Sequence, residues 1–178
     1  MKNWIFFLTM VLFSCQSTKQ LALPETFKID KEISREKKDG KIIIKSIRIL
    51  AGTTMELKKD DTGKYYTVTS PGNKVVFKIS VSRVLEVPLA DSALMYTLTF
   101  ETDNPVKSFT KENEDLRDIK AVYGFHAFHP DSGYYPLDKG KISLKTDKKN
   151  KKIIITVELP EKYGKMLNGT YEVPLSEN

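Results

Sequence analysis

Side chains along most of the chain alternate between apolar and polar, and this period of two constrains the fold more than any other feature. The clearest run is residues 75–82, where alternate positions hold Val75, Phe77, Ile79 and Val81. The same period recurs in residues 94–101, 153–159 and 171–175. Successive side chains of a strand point to opposite faces, so each run presents one face to a core. The chain is therefore predicted to be mainly β.

Turn signals separate these runs. They are Asp-Asp-Thr-Gly at 60–63, Ser-Pro-Gly-Asn at 70–73 and Asp-Lys-Lys-Asn at 147–150. Gly, Asn and Asp tolerate the backbone angles of tight turns, and Pro presets one of them. Each signal lies between two strand-like runs, which predicts three antiparallel hairpins.

A single antiparallel β-sandwich with at most one short helix is the predicted fold, and a small β-barrel is the alternative. The helix is predicted over residues 110–118, with Thr110 as its N-cap. Strand 41–50 has consecutive isoleucines and is predicted to be covered on both faces. The predicted strands are 27–33, 41–50, 54–59, 64–70, 74–85, 93–102, 119–128, 140–147, 151–159 and 169–175.

The first fifteen residues have the composition of an export signal. Lys2 supplies a positive charge, residues 4–13 are almost entirely apolar, and the small Ser14 precedes Cys15. A bilayer span needs roughly 20 apolar residues, so this run is too short to cross a membrane. A charged start, a short apolar centre and a small residue at the cut site are typical of a cleaved signal. An ordinary secretory signal or a single anchor helix is the alternative interpretation.

Leu12, Ser14 and Cys15 resemble the lipobox of bacterial lipoproteins. Phe13 departs from that pattern because it is bulkier than the residue usually found there. In the family, the chain is cut before the cysteine and the thiol carries a diacylglycerol. The resemblance implies removal of residues 1–14 as a signal peptide and lipidation of Cys15, and it says nothing about the folded part.

Cysteine usage agrees with that implication. Cys15 is the only cysteine of the chain, so the exported domain forms no internal disulfide. Lipidation would block a thiol that is otherwise open to oxidation. Stable anchoring needs more than one acyl chain, and the usual three-chain lipoprotein anchor satisfies this condition. A membrane is therefore the expected partner of Cys15.

Residues 15–26 are predicted to be the lipidated cysteine and a tether, and residues 27–178 to be the sandwich domain. Fully extended, the tether would span roughly 35–40 Å. Gln16 stands where an aspartate would resemble an inner-membrane retention signal of enteric bacteria. The tether also lacks the acidic cluster that resembles a surface-export signal in some Bacteroidetes lipoproteins. We therefore expect a lipid-anchored protein of the cell envelope, on the outer membrane and facing the periplasm.

The distribution of charge and the absence of catalytic motifs argue against nucleic-acid binding and against common classes of enzyme. The formal net charge is +6, but the basic residues are dispersed among 23 acidic ones, so no nucleic-acid partner is expected. The sequence has no Gly-x-Ser-x-Gly elbow, no His-Glu-x-x-His motif and no phosphate-binding glycine loop. We therefore predict no catalytic residues and no cofactor, although an active site assembled from distant strands would leave no such motif.

Residues 123–138 have the most unusual local composition, with five aromatic residues and both histidines of the chain. One hypothesis is a ligand site, in which Tyr134 and Tyr135 stack on sugar or aromatic rings while His129 and Asp131 supply hydrogen bonds. The alternative is that Tyr123 and other alternate residues form a core face and that the tyrosines pin the loop to the sheet.

A metal site in this segment is not predicted. His126, His129 and Asp131 are suitable ligand types for zinc or copper. Residues three apart on a strand point to opposite faces, which separates the two imidazoles.

Two short features carry weaker hypotheses. Asp91-Ser92-Ala93 resembles an O-glycosylation acceptor of Bacteroidetes, which makes Ser92 a candidate site.

Lysines 148, 149, 151 and 152 surround a predicted hairpin tip. They are interpreted as a solvated turn that prevents edge pairing, with contact to anionic lipid or lipopolysaccharide as the alternative.

Together these features predict a lipid-anchored envelope protein with a non-enzymatic binding, accessory or scaffold role, as a subunit of an envelope assembly that contacts a protein partner. The alternative function is that of a periplasmic or surface lipoprotein that binds a glycan or small ligand through residues 123–138.

Overall fold

The computed structural model of the chain describes residues 20–86 and 93–175. Two larger antiparallel sheets share one hydrophobic core, and a two-stranded sheet lies at one end. The fold is the mainly β, antiparallel sandwich predicted from the sequence. Residues 1–14, Cys15 and Ser92 lie outside the described residues. Within the described part, no helix has the length and apolar character needed to cross a membrane.

The strands are bounded as follows. The six-stranded sheet contains, in spatial order, β2 (Lys28–Lys38), β3 (Lys41–Lys59), β4 (Tyr65–Leu85), β5 (Leu94–Asp103), β8 (Val122–His126) and β9 (Gly133–Pro136). The four-stranded sheet contains β12 (Gly169–Pro174), β11 (Lys152–Glu158), β10 (Lys141–Asp147) and β7 (Phe109–Glu112). The two-stranded sheet pairs β1 (Gln20–Leu21) with β6 (Val106–Lys107). Three 3₁₀ helices cover Asn113–Ile119, Glu161–Tyr163 and Lys165–Leu167.

The core lies between the two larger sheets and follows the predicted period of two. Alternate residues of β4 are fully buried, and Phe77 stacks on Phe100 of β5 with ring centroids 5.1 Å apart. The facing sheet contributes Ile142, Leu144 and Ile153. Fully burying such a side chain contributes about 1.5–3 kcal/mol, so this contact between sheets dominates the stability of the fold.

The β3–β4 hairpin is longer than predicted. Residues 41–50 and 54–59 belong to one strand, and 70–73 is not a turn, because Pro71 pairs with Thr53 inside the ladder. A β-bulge between Ala51 and Thr53 bends the hairpin at this level. Gly52 permits the bulge, since a Cβ there would lie 2.5 Å from the Glu25 carbonyl oxygen. The turn signal at 70–73 therefore marks a bend in a continuous hairpin.

The predicted helix is displaced and shorter. Thr110 lies in β7, where its hydroxyl is 3.0 Å from that of Ser143, and it caps no helix. The 3₁₀ helix begins only at Asn113. A segment this short gains little from helix formation in isolation, so pairing with β10 decides its conformation.

Residues 20–26, assigned to a tether from the sequence, pack on the sandwich. Leu21 pairs with Val106 of β6, and Leu23 is buried. The Asn104 side chain holds Leu23 through two hydrogen bonds, accepting from its amide at 3.1 Å and donating to its carbonyl at 2.7 Å. Only residues 16–19 therefore separate Cys15 from the first strand.

The distal half of the β3–β4 hairpin folds over the outer face of the larger sheet. Tyr65 of β4 pairs with Tyr134 of β9, which closes a ring of four strands, β4, β5, β8 and β9. A second small core of Met55, Val76 and Val122 fills this ring. The sandwich thus contains a small closed ring of strands, and such closure is a feature of the β-barrel that the sequence gives as the alternative fold.

A buried carboxylate fastens the folded hairpin. One oxygen of Glu101 accepts hydrogen bonds from the Met55 amide at 2.7 Å and the Thr54 hydroxyl at 3.1 Å. The other oxygen pairs with Lys120 at 2.7 Å, and Lys120 also donates to the Met55 carbonyl at 3.0 Å. Burial by itself would raise the pKa of Glu101, but these hydrogen bonds outweigh it and hold the pKa below its ordinary value.

The sandwich has two ends with different surroundings. We call the end where β1 pairs with β6 and where the 148–151 turn joins β10 to β11 the anchor end. We call the end where β5 begins and where segment 160–167 connects β11 to β12 the pocket end. From Tyr96 to Asp103, β5 covers roughly 23 Å at about 3.3 Å per residue, which is the scale of the separation.

Candidate ligand-binding pocket

An aromatic pocket of about 430 Å³ opens at the pocket end. Its floor is the inner face of β5 and β8 where these strands extend past the packed core, and its far wall is the segment 160–167, which we call the pocket loop. The lining residues are Tyr96, Tyr123, Phe125, Asp131, Tyr135, Glu161, Lys162, Tyr163 and Gly164. Aromatic side chains thus dominate a concave surface of small-ligand size.

Tyr123 is the centre of the aromatic wall. Its ring lies 6.5 Å from that of Tyr96, 6.1 Å from that of Tyr135 and 5.6 Å from that of Tyr163, measured between centroids. Tyr96 also stacks on Phe125 at 5.5 Å. These distances fall within the range of favourable aromatic pairs, so the rings support one another in fixed orientations.

The pocket loop is held in place by one asparagine and one glycine. Asn168 accepts a hydrogen bond from the Leu159 amide at 2.7 Å and donates to the Leu159 carbonyl at 2.9 Å, which closes the loop at its base. Gly164 has a φ of 77°, and a Cβ there would lie 3.0 Å from the Tyr96 ring. Glycine therefore allows the loop to approach Tyr96 closely.

The phenolic hydroxyls divide into bound and free groups. Tyr135 donates to the Asp131 carbonyl at 2.6 Å, and Tyr163 donates to the Asp138 carboxylate at 3.2 Å. The hydroxyls of Tyr96 and Tyr123 form no hydrogen bond with any residue of the described part. Burial raises the pKa of Tyr123 to about 12, and the neighbouring Tyr96 and Tyr135 add to the shift. Tyr123 therefore stays protonated and presents a hydrogen-bonding hydroxyl at neutral pH.

Three charged residues lie at the rim. Asp131 enters from the β8–β9 turn, while Glu161 and Lys162 belong to the pocket loop. The Lys162 ammonium group lies 4.4 Å from the centroid of the Tyr163 ring, a cation–π contact that orients the ring. The pocket therefore combines apolar ring faces with both signs of charge at its edge.

The four residues predicted for a ligand site separate in the structure. Tyr135 and Asp131 line the pocket. Tyr134 is the adjacent strand residue, so it points to the opposite face and packs against the second small core. His129 contacts Phe125 at 6.2 Å between ring centroids but does not line the pocket.

The two histidines lie in different surroundings, and strand spacing does not decide this, because β8 ends at His126 and His129 lies in the turn that follows. His126 is on the outer face, 3.4 Å from the Thr97 hydroxyl and edge-on to Tyr134, and burial and then Lys78 lower its pKa. His129 lies on an exposed turn, where its Nδ1 accepts a hydrogen bond from the Asp131 amide at 3.2 Å. Within residues 20–86 and 93–175, no three His, Cys, Asp or Glu side chains cluster as metal ligands would.

Sequence reasoning missed the pocket residues outside the 123–138 segment. Tyr96 belongs to the alternating pattern of β5, which assigns it to the core face, and no pattern indicates that the core is open at that level. Tyr163 lies in a segment without strand periodicity. The available signal is composition: Glu-Lys-Tyr-Gly at 161–164 places an aromatic residue and two charges in a short connection between strands.

Comparisons of the whole chain with other proteins were negative: no protein-family model matches it, and no curated protein or solved structure is significantly similar.

Proposed function

We propose that this chain is a lipid-anchored protein of the bacterial cell envelope whose sandwich binds a small ring-shaped ligand, of the sugar class, in the aromatic pocket. The observation that carries the proposal is the pocket wall, in which the hydroxyls of Tyr96 and Tyr123, without a hydrogen-bond partner among the described residues, lie beside the faces of Tyr135 and Tyr163. A sugar ring has apolar C–H faces that stack on aromatic rings and an edge of hydroxyls that needs hydrogen-bonding partners.

The charged rim supports a polar ligand over a purely apolar one. Asp131 and Glu161 can accept hydrogen bonds from sugar hydroxyls, and Lys162 can donate to one. A ligand without polar groups would leave these side chains, and the phenols of Tyr96 and Tyr123, without partners among the described residues, which costs binding free energy. The pocket volume of about 430 Å³ suits a mono- or disaccharide unit.

The lipid anchor is the second part of the proposal. It is supported by the resemblance of Leu12, Ser14 and Cys15 to a lipobox and by the absence of any other cysteine. The outer membrane, with the domain facing the periplasm, is the proposed location. Ligand capture at a fixed distance from the membrane would then be the role of the protein.

An accessory role through strand addition has less support. The exposed edge of the larger sheet is β2, an 11-residue strand in which eight of the side chains are charged. A bulge between Glu32 and Ser34 also disturbs its ladder. Charged side chains and bulges on edge strands oppose pairing with another chain.

Isothermal titration calorimetry tests the ligand proposal. The exported chain is titrated with soluble oligosaccharides of neutral, amino and acidic sugars. Tyr135→Ala and Tyr163→Ala should each weaken binding about tenfold, because a stacked ring contributes on the order of 1–2 kcal/mol. Tyr66→Ala is the matched control, since Tyr66 is 40% exposed and Tyr135 is 39% exposed. Binding that no pocket substitution changes, or no saturable binding to any sugar class, would refute the assignment.

The anchor is tested separately by mass spectrometry of the amino-terminal peptide from native membranes. A peptide that begins at a lipidated Cys15 is the expected result, and Cys15→Ala should release the protein from the membrane fraction. An unmodified Cys15 in membrane-associated protein would remove the anchor from the proposal without touching the pocket.

A further inference from the structure

We propose that the anchor end of the sandwich is a membrane-docking surface, which seats an apolar groove and a lysine rim on an anionic phospholipid bilayer. This inference rests on the lipid anchor proposed above. It adds a definite orientation of the domain, with the aromatic pocket directed away from the membrane.

The groove at the anchor end has the composition of an interfacial contact. It encloses about 500 Å³ and is lined by the apolar residues Leu21, Leu23, Pro24, Phe27 and Leu175. Lys148 and Lys151 complete its wall, and among residues 20–86 and 93–175 no acidic residue lines it. Apolar side chains of this kind enter the boundary between headgroups and acyl chains to a depth of about 5–10 Å.

The lysines of the 148–151 turn match an anionic surface. Lys148, Lys149 and Lys151 are exposed, and their ammonium groups have no carboxylate partner among the described residues. Lys152 differs, because it pairs with Glu172 at 2.7 Å. Each lysine near an anionic bilayer strengthens association about fivefold. These three lysines, unpaired within the part of the chain that the structure describes, therefore supply the charge complementarity that a bare apolar groove would lack.

The short tether keeps this end of the sandwich close to the bilayer. Residues 16–19 are the only ones between Cys15 and β1, so the first strand begins within roughly 18 Å of the anchored cysteine even at full extension. Leu21 is part of the groove itself. A lipid on Cys15 therefore brings the groove, and not the aromatic pocket, to the membrane surface.

The two ends of the sandwich then have complementary tasks. The pocket loop and Phe128 lie at the pocket end, beyond the start of β5 and the end of β8. With the anchor end on the bilayer, the pocket faces the aqueous space roughly 20–25 Å above the groove. A soluble glycan can reach it there without crossing the headgroup layer.

A tryptophan reporter tests the docking. The only native tryptophan is Trp4, so the chain that begins at Cys15 contains none and retains every residue of both sheets. Its single cysteine, Cys15, can be coupled to a maleimide-headgroup lipid in vesicles, which supplies the tether whether or not cells lipidate the residue. Phe27→Trp provides a groove reporter, and Phe128→Trp provides a pocket-end reporter, where Phe128 is 84% exposed.

Vesicles of phosphatidylcholine with phosphatidylglycerol, carrying brominated acyl chains, should shift the emission of the groove reporter to the blue and quench it, while the pocket-end reporter stays unquenched. Lys148→Glu with Lys151→Glu should lower the quenching several-fold, as should vesicles without phosphatidylglycerol. Lys38→Glu with Lys139→Glu makes the same charge change at exposed sites away from the groove and should have no such effect. Leu175→Trp supplies the groove reporter if Phe27→Trp does not fold.

Equal quenching of the two reporters would overturn the orientation. A blue shift of the groove reporter that grows with protein concentration in the absence of vesicles would show that a second copy covers the groove, which also overturns it. Docking of the coupled chain together with an unmodified Cys15 in cells would leave the surface assigned and refute only the native anchor.

Discussion

Removal of the Glu101 carboxylate should open the folded hairpin and destabilise the whole domain. In Glu101→Ala the Met55 amide loses its partner inside a buried region, which costs about 1–3 kcal/mol. The hydrogen bond from Thr54 is lost as well, and it contributes on the order of 1 kcal/mol. Lys120 is 46% exposed and regains water, so its lost ion pair adds little. The expected loss is about 2–4 kcal/mol of unfolding free energy.

Urea unfolding of the wild type and the variant measures this difference. For a domain of this size, each kcal/mol corresponds to about 2–4 °C in Tm, so thermal scans should show a decrease of roughly 5–15 °C. Asp103→Ala is the matched control on the same strand and face: its carboxylate pairs with Lys74 but is 72% exposed, and its removal should cost less than about 1 kcal/mol. Equal losses in the two variants would refute the argument that burial makes the Glu101 contacts decisive.

The same carboxylate predicts a pH dependence. Because its folded pKa is below the ordinary value of 4.5, Glu101 stabilises the fold above that value and loses its contribution as the pH falls through the folded pKa. The stability difference between wild type and Glu101→Gln should therefore shrink as the pH falls below about 5 and through the lowered pKa of Glu101. A difference that stays constant over this range would contradict the assignment of the low pKa to Glu101.

The remaining predictions concern the pocket. Alkaline titration monitored by tyrosinate absorbance should show a group of tyrosines, Tyr123 and Tyr171, that ionise near pH 12. Tyr123→Phe should reduce the absorbance change of this step. An unchanged titration curve would contradict the burial of the Tyr123 hydroxyl. Gly164→Ala should cost about 1–2 kcal/mol in urea unfolding, because its φ is 77°, and should also weaken sugar binding, because the new methyl group would press on Tyr96. Gly40 is the matched control position, because its φ of 69° is similar and the space around it is open. Gly40→Ala should therefore destabilise the fold without changing the affinity for sugar. Equal affinities of the two variants would refute the role of the Tyr96 contact.

Much of the sandwich could be predicted because burial on one face imposes a local pattern. The alternation in residues 75–81 and 153–157 identifies strands whose inner residues are the core of the structure. The turns at 60–63 and 147–150 lie at hairpin tips. These features depend on neighbours along the chain, so the sequence displays them directly.

The parts that sequence reasoning missed depend on contacts between distant residues. The pairing of Leu21 with Val106 leaves no local signature, since a two-residue strand has no measurable period. The bend at Pro71 has the composition of a turn and differs from one only because Thr53 lies opposite. The strand pairing of Thr110 likewise requires knowledge of β10.

The candidate site is half visible in the sequence for the same reason. Residues 123–138 contribute Tyr123, Phe125, Asp131 and Tyr135, and the composition of this segment indicates a candidate site. The choice between Tyr134 and Tyr135 requires the register of β9, because adjacent strand residues face opposite ways. The position of the pocket loop cannot be predicted in this way, because the composition of residues 160–167 does not reveal that they cross the open end of the core.

The four-stranded ring has a consequence for the order in which the domain can form. A chain that emerges from a ribosome or a translocation channel with its amino terminus first can pair β3 with β4 early, since the two strands are joined by a short turn. Tyr65 meets its partner only after synthesis or export has reached Tyr134. Until then, Met55 and Val76 lack the covering strand and remain open to unwanted association. The hairpin is therefore the segment for which a holding chaperone would matter most, and a chain interrupted before β9 should aggregate instead of forming a smaller stable domain.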